Sequence, residues 1–208
     1  FSLTSMIPIS LFFNNYLDMF KGFESAISDF LNKEPVSDDM SPIDIALKKY
    51  DLILSGKRID IILLYGDELY EIGNWMKQLY AESLGKNEFG YLPVISQMTQ
   101  DQHSVLQLYL DGPNDKFYEF YSANYHESNN FIDLTLSNHK QAMLKTLEDE
   151  GLPIVRTSDY FVDNKQSIGH QLGYFFTSSI LETLLLAHLG GVDPFGQDAV
   201  EKQKKYLK

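Results

Sequence analysis

The sequence has no cysteine, which excludes disulfides, cysteine nucleophiles and thiolate metal sites. It fits a reducing compartment, and a cytoplasmic protein is expected. Positive charge is also scarce. Lys and Arg number 17 against 29 Asp and Glu, for a net charge of -12. Binding to nucleic acid or an anionic membrane needs clustered cations, so neither is an expected partner. The apolar opening "FSLTSMIPISLFF" is too short for a membrane span, because Pro8 and the pair Asn14 and Asn15 interrupt it before roughly 18 apolar residues accumulate. It begins with Phe and has no basic region ahead of its apolar part. It is therefore expected to be interior sequence of a longer chain rather than a signal peptide.

Motifs that announce a cofactor or a nucleophile are missing as well. GxGxxG, a Walker sequence, HExxH, His-x-His and a GxSxG elbow do not occur, and there is no internal repeat. The histidines at 103, 126, 139, 170 and 188 are scattered. No metal and no cofactor are expected.

What is present is core-forming material: 44% apolar residues and 13% aromatics, enough for one packed domain. Helical spacing recurs through residues 1 to 32, read as two helices, and "EPVSDDMSP" is a connector. "PIDIALKKYDLILSGK" follows as a helix, capped by Ser41 and stopped by Gly56. "RIDIILLYG" (58–66) is an apolar run typical of a strand covered on both faces. Then come a helix over 67–83, a strand "YLPVISQMT", a helix "QDQHSVLQLYL" and a strand "DKFYEFYSA". A helix over 138–150, a strand "LPIVRTSDYF", an apolar helix over 167–189 and a Lys-rich helix over 198–208 complete the chain. This alternation predicts an α/β three-layer sandwich, a mainly parallel sheet flanked by helices, with additional helices at both ends. Ligands are expected at the carboxyl ends of the strands.

Three stretches can carry chemistry. In "AESLGK", Glu82 falls in the last turn of a helix that Gly85 is expected to end in a left-handed cap. A carboxylate there is disfavoured by the helix dipole. It is either a solvated partner of Lys86 or a base in a partly dry cleft, where proton affinity rises, with Gln78 one turn earlier placed to hold a substrate hydroxyl. In "MTQDQHS", a capping box from Thr99 to Gln102 would set His103 in the first helical turn after a strand. It is either a surface histidine or one facing the ligand crevice. In "DPFGQDAVEKQKKYLK", Lys202, Lys204, Lys205 and Lys208 either complement a helix dipole or serve a site.

Taken together, "AESLGK", "TQDQHSVLQLYLDGP" and "GVDPFGQDAVEKQK" resemble the carboxyl-terminal half of the glucose-6-phosphate isomerase family, in order and approximate spacing. "FSLTS" resembles the stretch after that family's Gly-Gly-Arg motif. The pattern F-x-Q-x-A-V-E-x-x-K, from Phe195 to Lys204, is the most specific part, although Gly196 and Ala199 depart from the usual residues. The resemblance implies a sugar isomerase (SIS-type) domain over 1–208, with the parent's amino-terminal domain and its phosphate loop absent. It implies interconversion of glucose 6-phosphate and fructose 6-phosphate by ring opening and an enediol, the fragment alone being inactive. Glu82 then matches the proton-shuttling base, His103 the ring-opening residue supplied by the neighbouring subunit of a homodimer, and Lys204 the lysine that assists ring opening. Gln78 and Gln197 match substrate-contacting glutamines. A non-catalytic sugar-phosphate-sensing module and a purely structural dimerisation domain are the competing readings.

Overall fold

A computed structural model describes residues 16–32, 40–123, 131–160, 167–196 and 198–206. Four parallel strands form one sheet in the order β2-β1-β3-β4: β1 Ile59–Tyr65, β2 Leu92–Met98, β3 Lys116–Ala123 and β4 Ile154–Tyr160. The helices are α1 Tyr16–Asn32, α2 Pro42–Leu54, α3 Tyr70–Leu84 (after a short 3-10 turn, Asp67–Leu69), α4 Gln100–Ser104 and α5 Leu106–Asp111. They continue with α6 Phe131–Asp149, α7 Ile168–Leu189 and α8 Asp198–Lys204. The predicted α/β sandwich and the element order are therefore present. The first of the two helices expected within 1–32 lies outside the described residues, and α6 starts earlier than position 138.

Period-two alternation builds the layers. Along β1, Ile62 and Leu64 face a cluster with Ile53, Met76, Tyr80 and Phe175 from α2, α3 and α7. Ile61, Leu63 and Tyr65 face the other way, onto Tyr109, Met143 and Leu147 from α5 and α6. Burial on both faces explains why β1 is an almost unbroken apolar run.

Local signals account for several boundaries. Pro42 is at the first turn of α2, and the Ser41 hydroxyl accepts a bond from Asp44 N at 3.2 Å. Gly56, just past that helix, adopts φ +92°. Gly85 does end α3, but at φ -73°, ψ 65°, so the expected left-handed cap does not form there. The positive φ values fall later in the same turn, on Asn87, Glu88 and Gly90.

One feature of the core had no signature in the sequence. Asp60 of β1, Glu119 of β3, Arg156 of β4, Lys49 of α2 and Glu182 of α7 meet in the buried layer between the sheet and the helices. Strand parity alone would turn Arg156 away from this layer, since Ile154 belongs to the opposite cluster. A register shift at Tyr118/Glu119 leaves Val155 as an extra residue and pairs Glu119 with Arg156, which re-aims the guanidinium at Glu119. Helix α7 is long and apolar enough to cross a membrane by length and composition. In this fold its Glu182 is tied to Lys49 and Arg156, and its other buried side chains pack in the core.

Candidate active site

Glu82 is half-buried in the last turn of α3 and lines an open cleft of about 690 Å³. The opposite wall is formed by the 193–196 turn and α8, through Asp193, Gly196, Asp198, Val200 and Lys202. Gln78, one turn back on the same helix face, donates from Nε2 to Glu82 Oε1 at 3.1 Å. The expected partner, Lys86, also lines the cleft, and its ammonium donates to the backbone carbonyl of Asp193.

The cleft is not where sheet topology pointed. Helix α3 leaves the carboxyl end of β1 and runs back along the sheet, so its last turn arrives at the amino edge. The following loop is fixed there: Arg58, just before β1, donates to Gly90 O at 3.1 Å and accepts from Leu92 N at 2.8 Å. His103 sits in α4, directly after β2, at the carboxyl edge. At about 3.3 Å per residue, a strand of seven residues puts roughly 20 Å between the two edges. Within one chain, Glu82 and His103 therefore lie at opposite ends of the sheet.

The predicted capping box before His103 does not form. Thr99 has φ -95°, ψ -3° and makes no side-chain cap, because a helical backbone there cannot aim its hydroxyl at the free N–H groups. Instead the Asp101 carboxylate accepts from Gln97 N at 3.0 Å and ties the turn to the strand end. His103 is exposed and is not among the cleft residues.

Lys204 lies on α8 but turns to Glu201, 2.6 Å away, with both side chains exposed. Lys202 is the lysine of this helix that lines the cleft. Gln197 lies outside the described residues. The structure thus brings Gln78 and Glu82 together, sets the helix that carries Lys204 across the cleft from them, and leaves His103 apart.

Two polar groupings had escaped sequence reading. One is the buried five-residue ion cluster. The other lies at the carboxyl edge, where buried Lys140 of α6 donates to Ser122 Oγ at 2.8 Å and pairs with Asp159. Neither has a local motif, because each draws its members from distant elements. Among the described residues, no group of three or more His, Asp or Glu side chains is placed to hold a metal ion.

No protein-family model matches the chain. It is 34% identical over 166 residues to a probable glucose-6-phosphate isomerase of Methanococcus maripaludis, a match covering 72% of this chain and 36% of that relative. It is also 34% identical over 165 residues to a glucose-6-phosphate isomerase of Methanocaldococcus jannaschii, covering 72% of this chain and 40% of that one. A crystal structure of a glucose-6-phosphate isomerase from Chlamydia trachomatis shares the fold, with a TM-score of 0.67 at 16% identity over 91% of this chain and 41% of that chain. The chain spans less than half the length of these relatives. Over the part it spans, the chain is a homologue of the glucose-6-phosphate isomerases and belongs with that family.

Proposed function

We propose that this chain is the carboxyl-terminal sugar isomerase domain of an enzyme that interconverts glucose 6-phosphate and fructose 6-phosphate. The observation that carries the reading is Glu82, half-buried on a cleft wall and hydrogen-bonded to Gln78, in a chain homologous to named isomerases of that class. After ring opening, the Glu82 carboxylate takes the proton from C2 of the open-chain aldose, giving an enediolate whose hydroxyl proton passes from O2 to O1. Glu82 returns the C2 proton to C1, giving the ketose. Gln78 holds the carboxylate and, with Gln197, the sugar hydroxyls. Lys204 stabilises the oxygen that gains charge as the ring opens, and His103 moves the proton between the ring oxygen and the anomeric hydroxyl.

The separation of Glu82 from His103 supports a homodimer in which each site takes its histidine from the neighbouring subunit. The phosphate is held by the remaining domain of the full-length protein, in keeping with the partial length of the match. A cytoplasmic location fits the absence of cysteine.

The test is a coupled isomerase assay on the full-length protein and its Glu82→Gln variant. A carboxylate base that moves a carbon-bound proton predicts a fall in kcat of at least about 100-fold. Retention of near-normal turnover by Glu82→Gln would remove Glu82 from the mechanism. Binding of fructose 6-phosphate without turnover by the unaltered full-length protein would support a sensor instead.

A further inference from the structure

The proposed site needs Glu82 and the α8 lysine on opposite walls of one cleft, yet α8 packs extensively against no other element among the described residues. Its apolar Val200 is 43% exposed, and Phe195 in the turn before it is 82% exposed. Hydrophobic burial therefore contributes little to holding this helix, and the turn that leads into it must supply the geometry.

Two fastenings hold that turn among the described residues. The Asp193 carboxylate accepts from Phe195 N at 3.0 Å and closes the turn on itself. The Lys86 ammonium donates to the Asp193 carbonyl, bridging from the loop that follows α3 to the chain that enters α8. Upstream, Gly190 lies against the Phe89 ring: a Cβ on Gly190 would stand 2.4 Å from Phe89 Cε1, which brings the end of α7 to the same loop. Lys86 thus crosses from the Glu82 wall to the α8 wall.

We infer that Lys86 is a positioning residue of the isomerase site, acting through the Asp193 carbonyl to hold α8, the helix that carries Lys204, across the cleft from Glu82. The inference rests on the proposed function for its catalytic consequence, but the tether itself does not. A charge-assisted bond from an ammonium to a backbone carbonyl is stronger than a neutral one and demands nothing of the Asp193 side chain. A displacement on the order of 1 Å at a reacting centre suffices for a large loss of rate.

The experiment uses the full-length protein and the variants Lys86→Met, Lys86→Arg, Lys204→Met and the double variant Lys86→Met/Lys204→Met. Lys86→Met is expected to speed hydrogen exchange of the amides of residues 195–204 by about 10-fold and to leave those of α3 unchanged. Its kcat falls by about 10- to 100-fold with a smaller change in KM, and Lys86→Arg recovers most of the loss. Lys204→Met costs less in the Lys86→Met background than alone, because the tether and the lysine act as one unit. Unchanged exchange in 195–204 overturns the tether, whatever the kinetics show. Changed exchange with full additivity of the two substitutions overturns the action through α8. If Glu82→Gln proves fully active, the proposed function fails, while the exchange result still decides the tether.

Discussion

Lys49 Nζ lies 2.5 Å from Glu119 Oε1, with both side chains wholly withdrawn from solvent. The same ammonium is 2.8 Å from Glu182 and 3.5 Å from Asp60, and it lies over the Tyr80 ring at 4.3 Å. Burial alone would pull the Lys49 pKa down. Glu119 and Glu182 more than offset that and hold it well above its usual value, so the cation persists in the core. Lys49→Met leaves two carboxylates without this partner and should destabilise the fold by about 3 to 5 kcal/mol. A lowered urea midpoint with an unchanged m-value checks it.

Asp60 is expected to behave in the opposite way. With every group ionised, Asp60, Glu119 and Glu182 outnumber Lys49 and Arg156 by one charge. Burial first, and then the Glu119 charge, push the Asp60 carboxyl well above the usual range, with Lys49 opposing only in part. The folded state therefore keeps a proton that the unfolded chain releases. Stability from this group is full below the ordinary carboxylate pKa and is lost as pH rises toward the raised folded value. Asp60→Asn mimics the neutral carboxyl, so it should cost less than about 1 kcal/mol at neutral pH and flatten that slope. Urea midpoints from mildly acid to mildly alkaline pH measure both; a loss as large as that of Lys49→Met would mean that Asp60 is ionised.

Glu119 supplies the acid leg. Burial raises its pKa, but Arg156 and then Lys49 overcome that and hold the carboxyl at about 2, below the ordinary 4.5. A depressed carboxylate contributes stability above its unfolded pKa, which disappears as pH falls from 4.5 toward 2. At 1.36 kcal/mol per unit the loss amounts to about 3 kcal/mol. Acid unfolding followed by circular dichroism should show a transition in that window, and Glu119→Gln should flatten it in a protein already weakened because Arg156 keeps only Glu182 of its two carboxylate partners.

Helices α1 and α7 cross through two glycines. A Cβ on Gly22 would stand 1.9 Å from His170 O, and one on Gly173 would stand 2.0 Å from Met19 O. Backbone cannot yield as a side-chain tip can, so Gly173→Val should cost about 3 kcal/mol or more by forcing the helices apart. Gly151 has φ +64° and open space around it, and Gly151→Ala should cost only about 1 to 2 kcal/mol of backbone strain. Thermal melts of the two variants separate crowding from conformation.

The placement of Glu82 and His103 at opposite sheet edges predicts complementation between subunits. Full-length Glu82→Gln and His103→Ala should each be nearly inactive. When the two are mixed under conditions of subunit exchange, half of the dimers are mixed, and each of these carries one intact site. Activity should return to about a quarter of the unaltered level for a two-fold assembly. Absence of recovery, with exchange verified by a labelled subunit, would place both residues in one chain's site.

The sandwich was legible because its signals are periodic and local. The unbroken apolar run of β1, the Ser41-Pro42 helix start and the apolar length of α7 each follow from nearest-neighbour chemistry. The helix face shared by Gln78 and Glu82 was legible for the same reason, since one helical turn separates them. The cap at Gly85 was misread because the loop places its left-handed residues two and three positions later. The box at Thr99 does not form because Thr99 is helical and the Gln102 N–H donates to the Thr99 carbonyl instead.

By itself the sequence determined the strand and helix order, the two-faced burial of the sheet and the face that Glu82 shares with Gln78. Those depend on spacing along one element. Only the tertiary structure decided that Glu82 opens at the amino edge while His103 sits at the carboxyl edge, because a crossover helix carries its end back along the whole sheet. It alone decided that Lys86 reaches the Asp193 carbonyl rather than serving only as the helical neighbour of Glu82. It also assembled Lys49, Asp60, Glu119, Arg156 and Glu182 into one buried cluster, since those five residues come from five separate elements that meet only when the sheet and helices close on each other.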